Sequence, residues 1–199
     1  MRTGRIWLAL IGAWLSVACG ARALPQSGPT SAPAAAATAS PEAQAPRSCG
    51  TADVQAGLGP EVPEPTGQHT LTFVLTNTSK QPCELFGYPG VALLDDSGQE
   101  IPFTYAHSGD QVVTSRSPRQ VELQPSEAAY ITINKYRCDV GGREKVHTVE
   151  LLVPGAASPI QLALSPTAMT FAYCGPGDPG SVVSVSPIAA TMREALASH

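Results

Sequence analysis

The five cysteines are the residues of this sequence whose chemistry is easiest to assign. They lie at positions 19, 49, 83, 138 and 174. In an exported chain an odd number of cysteines leaves one thiol free or assigns one to another purpose, and lipidation of Cys19 would leave four. Zinc sites normally take cysteines in closely spaced pairs, and the sequence contains none. The pattern therefore predicts two disulfides among Cys49, Cys83, Cys138 and Cys174.

Four cysteines allow three pairings, and the sequence leaves all three open. We prefer the two short closures, Cys49 with Cys83 and Cys138 with Cys174. Each would close a loop of about 35 residues, which the chain-entropy model values at about 4 kcal/mol.

Residues 1–19 have the pattern of a signal peptide. Two arginines precede the ten-residue apolar run Ile6–Leu15, and small residues follow it. The apolar run is too short to span a bilayer as a mature helix. This segment therefore predicts export.

The end of this segment offers two cleavage sites. Leu15–Gly20 (LSVACG) is similar to a lipobox, in which the cysteine is diacylated and becomes the new N-terminus, although Ser16 stands where Leu, Val or Ile is usual. Cleavage after Ala23 would instead release a secreted, soluble protein. The odd cysteine count favours the lipobox, which predicts a lipid anchor at Cys19 and a place on the extracytoplasmic face of the cell membrane.

The other side chains that could do chemistry are scattered. Asp95, Asp96 and Glu100 lack the twelve-residue spacing of a calcium loop and fit a polar hairpin turn. Residues 175–180 are rich in glycine, but two prolines remove N–H groups that a phosphate cradle would need. The histidines form no i, i+2 or i, i+4 pair and lie at positions 69, 107, 147 and 199. We therefore expect no catalytic residue, no metal and no cofactor.

Composition divides the rest of the chain. Residues 20–48 are rich in Ala, Pro and Ser and bury too little to fold, so they predict a disordered tether. Residues 49–187 carry the folded domain, and 188–199 form a C-terminal tail with weak helical character.

Residues 49–199 contain 8 Lys or Arg and 15 Asp or Glu, a net charge of −7. Nucleic acid is not an expected partner, because phosphate binding needs a basic face.

The positions of apolar residues predict strands. Thr70–Thr76 (TLTFVLT) places Leu71, Phe73 and Leu75 on one face, with Thr72 and Thr76 on the other. Nine such short segments, separated by turn residues, are typical of an antiparallel sandwich or barrel.

A second strand, Ala128–Arg137, has the same alternation. Ala129, Ile131 and Ile133 face inward, and Thr132 and Asn134 face outward. The core must be filled without tryptophan, because both tryptophans precede residue 19. The expected central side chains are the four phenylalanines, Phe73, Phe86, Phe103 and Phe171.

Several segments together resemble a known family. They are Cys49 followed by Ala52-Asp53, the run Leu75–Ser79 leading to Pro82–Leu85, Gly87–Val91, the turn at 123–128, and the late Cys138 and Cys174. Over residues 49 to about 187 this order is similar to domain of unknown function 4232 (DUF4232), a family of exported, often lipidated envelope proteins, mainly of actinobacteria. The resemblance implies an immunoglobulin-like antiparallel β-sandwich of about seven to nine strands with two disulfides. It implies no activity and no functional residues.

Two classes of function follow. The favoured one is a non-enzymatic, monomeric envelope lipoprotein that binds a protein, glycan or small molecule through its loops. The alternative is an unrecognised envelope hydrolase or metal-dependent enzyme. A concave pocket that gathers His107, Asp110 and neighbours with shifted pKa values would favour the enzyme, and flat loops with a convex apolar patch would favour binding.

Overall fold

Two long strands form the centre of the domain. The computed structural model describes residues 47–139, 141–165 and 171–198. In it β2 (Gln68–Asn77) pairs antiparallel with β7 (Ala128–Tyr136), with a register that runs from Gln68 opposite Tyr136 to Thr76 opposite Ala128. Both strands have the period-two apolar pattern that the sequence predicts, so one face of this pair is buried in the core.

Ten further strands surround this pair in the described part of the chain. They are β1 (Val54–Leu58), β3 (Cys83–Leu85), β4 (Gly90–Leu94), β5 (Thr104–Ala106), β6 (Val121–Leu123), β8 (Glu144–Lys145), β9 (Thr148–Leu152), β10 (Ile160–Ala163), β11 (Ala172–Tyr173) and β12 (Val182–Val185). The described helices are one turn of 3-10 helix, Pro179–Ser181, and α1 (Met192–Ala195).

The strands form two main sheets. The larger sheet has the order β1-β2-β7-β12-β5, and its pairs are antiparallel except for β5 with β12. The smaller sheet has the order β10-β9-β4, and two short ribbons, β3-β6 and β8-β11, lie outside the main sheets. The expected all-β sandwich with two disulfides is confirmed. The described strands outnumber the seven to nine expected, because β1, β8 and β11 carry no clear apolar alternation.

The core lies between the two main sheets. Phe73, Ile131 and Val183 come from the larger sheet, and Leu93 and Leu151 come from the smaller one; all five are fully buried. Phe171 is also fully buried, and the Phe103 ring packs edge-on against Tyr173 with ring centroids 5.3 Å apart. Three of the four phenylalanines therefore fill the core as expected.

Phe86 is the exception, since 62% of its surface is exposed. The prediction that it is a core residue is wrong. Cys83 and Leu85 of β3 both point inward, and strand alternation then directs the side chain at position 86 outward. β3 has only three residues, which is too few for an alternation of apolar and polar residues to show its register in the sequence.

The outer face of the larger sheet is covered by other segments. Thr132 and Asn134 lie on the side away from the core, but both are fully buried. The Thr132 hydroxyl contacts Met192 of α1, and the Asn134 amide donates to Asp110 in the segment before β6. Both side chains therefore face away from the core as expected, but other segments cover them. Alternation indicates the side of a sheet, not what covers it.

Both disulfides link strands to neighbouring segments. Cys49, just before β1, is bonded to Cys83 of β3, and Cys138, just after β7, is bonded to Cys174, just after β11. The two Cα atoms are 4.9 Å apart in the first bond and 5.1 Å apart in the second. These two bonds are the pairing with short loops that is preferred from the sequence.

The C-terminal segment packs onto the sandwich. Ile188, Ala189 and Ala195 are buried, and Tyr130 of β7 exchanges backbone hydrogen bonds with Ala189. Among the described residues, no helix has the length and apolar character needed to cross a membrane. The predicted signal segment, Cys19 and the predicted tether up to residue 46 lie outside the described residues.

Candidate functional site

A depression on the protein surface lies beside the ribbon formed by β3 and β6. Its volume is about 100 Å³. Apolar groups of Val121, Pro187 and Ile188 line it together with Arg116 and Arg119. Arg119 makes no ion pair or hydrogen bond with another described residue. Glu194 also lines the depression, so two arginines and one carboxylate give it a net positive charge, in a domain whose net charge is negative.

A second depression, of about 540 Å³, lies next to the first. It is lined by Ser48, Glu84, Phe86, Gln120, Pro154 and Gly155. Gln120 lines both depressions, and its side-chain amide contacts the Glu84 carboxylate. We call the residues that line the two depressions the Gln120 surface.

Five separate segments build the Gln120 surface. Pairing of Cys83 with Leu123 and of Leu85 with Val121 places the residues before β6 beside the end of β3. On its other side Glu84 pairs with the segment that precedes β1. Its N–H donates to the Arg47 carbonyl, and its carbonyl accepts from the Cys49 N–H. The Ile188 N–H donates to the Gly87 carbonyl, which brings the segment after β12 to the same place.

His107 and Asp110 have separate structural roles. The His107 ring stacks on Tyr88, with centroids 4.0 Å apart and planes 13° apart. One Asp110 carboxylate oxygen accepts the N–H groups of Val112 and Val113, and the other accepts from the buried Asn134 amide. Among the described residues, no hydrogen bond or ring contact joins these two side chains to each other.

The carboxylates with lowered pKa values lie in turns. The pKa of Asp53 is lowered because its carboxylate accepts from the Arg47 guanidinium and from the Gly50 N–H. The pKa of Asp95 is lowered by hydrogen bonds from Ser97 and from the Gln99 N–H. Such bonds favour the ionised form and close the turn. Asp95 therefore serves the hairpin turn that the sequence indicates. In the described part of the chain, no group of three His, Cys, Asp or Glu side chains could hold a metal ion.

Lys135 is the most unusual titratable group. It continues the inward series of Ala129, Ile131 and Ile133 in β7, and only 1% of its surface is exposed. Burial lowers the pKa of its ammonium to about 8, although the nearby Asp178 carboxylate opposes this change. The pKa of His69, opposite Lys135 in β2, is also lowered, first by burial and then by the charge of Lys135.

Because the pKa of Lys135 is lowered in the folded state, we expect the stability of the domain to depend on pH. This pKa is lower in the folded state than the ordinary 10.5, so the unfolded chain binds more protons between these values and stability rises as pH increases through this window. Relative to Lys135→Met, wild type should gain about 2 kcal/mol of unfolding free energy between pH 7 and pH 10. Urea denaturation of both proteins at each pH measures this gain. A difference that does not change with pH would show that the ammonium is not desolvated.

The model of DUF4232, described as a domain of unknown function, matches residues 49–189. The chain belongs to the DUF4232 family. No curated protein matches the sequence significantly. No solved structure matches it significantly either.

In this DUF4232 domain the N-T-S segment has a clear structural role. Asn77 is fully buried, and its side-chain NH₂ donates to the carbonyls of Gln81 and Leu123 at 2.9 Å each. Its side-chain oxygen accepts from the N–H and the hydroxyl of Ser79. Asn77 thus fixes the turn after β2 to the end of β6. These contacts give the N-T-S segment, one of those that carry the resemblance, a structural role.

The Gln120 surface is not visible in the sequence of the DUF4232 domain. Arg116 lies in a stretch whose residues are typical of a loop, and Arg119 and Gln120 begin a segment that is predicted to be a strand. Their neighbours come from positions 48, 84–86, 154–155 and 187–190. The one possible signal is the single aromatic residue Phe86 between Leu85 and Gly87, but the sequence interpretation assigned it to the core.

Proposed function

We propose that this protein is a non-enzymatic, lipid-anchored envelope protein whose DUF4232 domain binds a partner through the Gln120 surface. The observation that carries this proposal is the 62% exposure of Phe86 at the edge of a depression. An exposed aromatic side chain beside polar groups is typical of an interaction hot spot.

The form of the surface favours a large partner. The first depression, at about 100 Å³, is well below the few hundred cubic ångströms that small-molecule sites usually enclose. The second depression, at about 540 Å³, has the volume of such a site, but its lining of Phe86, Pro154 and four polar or glycine residues is less apolar than such sites usually are. A protein or glycan of the cell envelope could contact both depressions at once, with an acidic group beside Arg119.

The binding proposal is tested by substituting Phe86. In a pull-down from intact envelopes with the mature domain as bait, Phe86→Ser should lower partner recovery by about tenfold, because it removes a hot-spot aromatic group. Leu58→Ser is the matched control, since Leu58 is 46% exposed on edge strand β1 and lines neither depression. Equal recovery with both variants would contradict a partner site at the Gln120 surface.

The anchor is supported by the odd cysteine and by the lipobox-like Leu15–Gly20. The four other cysteines form the two disulfides, which leaves Cys19 for another use. Arg47 and Ser48 pair with Glu84, so a tether after the anchor would comprise residues 20–46. It would hold the domain tens of ångströms from the membrane, since flexible chains extend by about 5–6 Å times the square root of their length.

Cys19→Ala is therefore expected to move the protein from the membrane fraction to the soluble or secreted fraction. Cell fractionation followed by immunoblotting measures this change, and Cys19→Ser serves as a second variant that also lacks the thiol. If wild type is already soluble and its N-terminus maps to Leu24, the protein is secreted and not anchored.

A further inference from the structure

The disulfide between Cys138 and Cys174 lies beside the buried amine of Lys135. The Lys135 Nζ atom is 3.7 Å from the Cys174 sulfur and donates a hydrogen bond to the Tyr136 carbonyl at 2.7 Å. Other charged or titratable groups that face the amine are His69 from β2 and Asp178 from the loop before the 3-10 helix. Burial of a lysine ammonium costs free energy, and such groups are often found at functional sites. The contact of Lys135 with the disulfide therefore suggests a role in the chemistry of that bond.

The two sulfur atoms have different surroundings. Cys174 is 2% exposed, and Gly180 packs so closely on it that a Cβ atom at that position would lie 2.5 Å from the sulfur. Cys138 is half-buried and lies in the segment after β7, next to the exposed Arg137 and Asp139. An external thiolate can therefore approach Cys138 but not Cys174.

We propose that Cys138–Cys174 is an exchange-competent disulfide at which Cys138 accepts a small external thiolate and Cys174 leaves, stabilised by the Lys135 ammonium. The incoming sulfur forms a bond to the Cys138 sulfur while the bond between Cys138 and Cys174 breaks. The electron pair of the broken bond goes to Cys174, which leaves as a thiolate 3.7 Å from Lys135 Nζ. The external thiolate becomes half of a mixed disulfide, so atoms and electrons balance without a further oxidant.

The charge of the amine carries this assignment. Thiol exchange is faster when the leaving sulfur has a lower pKa, and a nearby ammonium lowers the pKa of a thiol. The Cys49–Cys83 disulfide provides an internal comparison, because both of its sulfurs belong to residues that are at most 2% exposed and no described lysine contacts them. The structure thus distinguishes one reactive bond from one protected bond within the same domain.

The test uses glutathione and the intact mature chain. After brief exposure at pH 7 and alkylation, peptide mapping should find glutathione on Cys138 and not on Cys174. Lys135→Met should slow the opening of Cys138–Cys174 by about tenfold, because it removes the charge that stabilises the leaving thiolate. Lys145→Met, which removes an exposed lysine from nearby β8, should leave the rate unchanged. Glutathione on Cys174, or equal rates in wild type and Lys135→Met, would overturn the proposal.

A second measurement separates the charge of Lys135 from its packing. Cys138→Ser leaves Cys174 as a free thiol, whose ionisation is followed by thiolate absorbance. Its pKa should rise by about one unit when Lys135→Met is added, and Lys135→Arg should keep it low. An unchanged pKa would show that Lys135 is only a packing residue. If Cys138→Ser does not fold, the position of glutathione in wild type still decides which sulfur is attacked.

Discussion

Phe73→Ala is expected to lower the free energy of unfolding by about 3–5 kcal/mol, because it removes buried apolar surface and leaves a cavity. Phe73 is fully buried in β2, opposite Ile131 of β7 on one side and Leu58 of β1 on the other. This loss is a large share of the roughly 5–15 kcal/mol that stabilises an ordinary domain. Urea denaturation of residues 49–199 followed by tyrosine fluorescence measures it, since both tryptophans precede residue 19.

Thr76→Ala is the matched control for Phe73→Ala in the same strand. Thr76 is partly exposed on the other face of β2, and its removal should cost less than about 0.5 kcal/mol. Thr72 is a poorer control, because it is buried and its hydroxyl donates to the Pro60 carbonyl at 2.6 Å. Equal losses for Phe73→Ala and Thr76→Ala would contradict the register of β2.

Asn77→Asp is expected to destabilise the domain by about 3 kcal/mol or more at pH 7. The substitution keeps the shape of the side chain but replaces a donor with a carboxylate oxygen facing two backbone carbonyls, those of Gln81 and Leu123. Gln81→Glu, an equivalent change at an exposed position in the same turn, should cost under about 0.5 kcal/mol.

The pH dependence of Asn77→Asp gives an additional check. A carboxyl group held against two carbonyls should have a raised pKa in the folded state, so the folded variant binds a proton more readily than the unfolded chain. Its deficit relative to wild type should therefore shrink as the pH falls from 7 towards 4. A deficit that is the same at both pH values would mean that the carboxylate is not confined at this position.

The parts of the fold that could be predicted from sequence are those with a strong local signal. The alternation in Thr70–Thr76 identifies β2 and its inward face, and the same alternation identifies β7. Continued by two residues, that pattern also places Lys135 on the inward face, where a charged side chain is not normally expected. The short strands β8 and β11 have two residues each and give no periodicity.

The parts that could not be predicted depend on distant contacts. The burial of Thr132 and Asn134 results from α1 and from the segment around Asp110, which cover the outer face of the sheet. The Gln120 surface exists only because the β3–β6 pairing joins positions 36 to 40 residues apart, such as Glu84 with Glu122. Local patterns of polarity contain no information about such contacts.

Site-specific photo-crosslinking in intact cells tests the proposed binding surface most directly. The full-length chain would carry a benzophenone amino acid at position 86, and a second protein would carry it at position 58 as the matched exposed site. We expect a discrete adduct with an envelope protein or glycan at position 86 and none at position 58. The absence of an adduct at position 86, equal adducts at both positions, or an adduct only with a second copy of the chain would contradict a partner-binding role for the Gln120 surface.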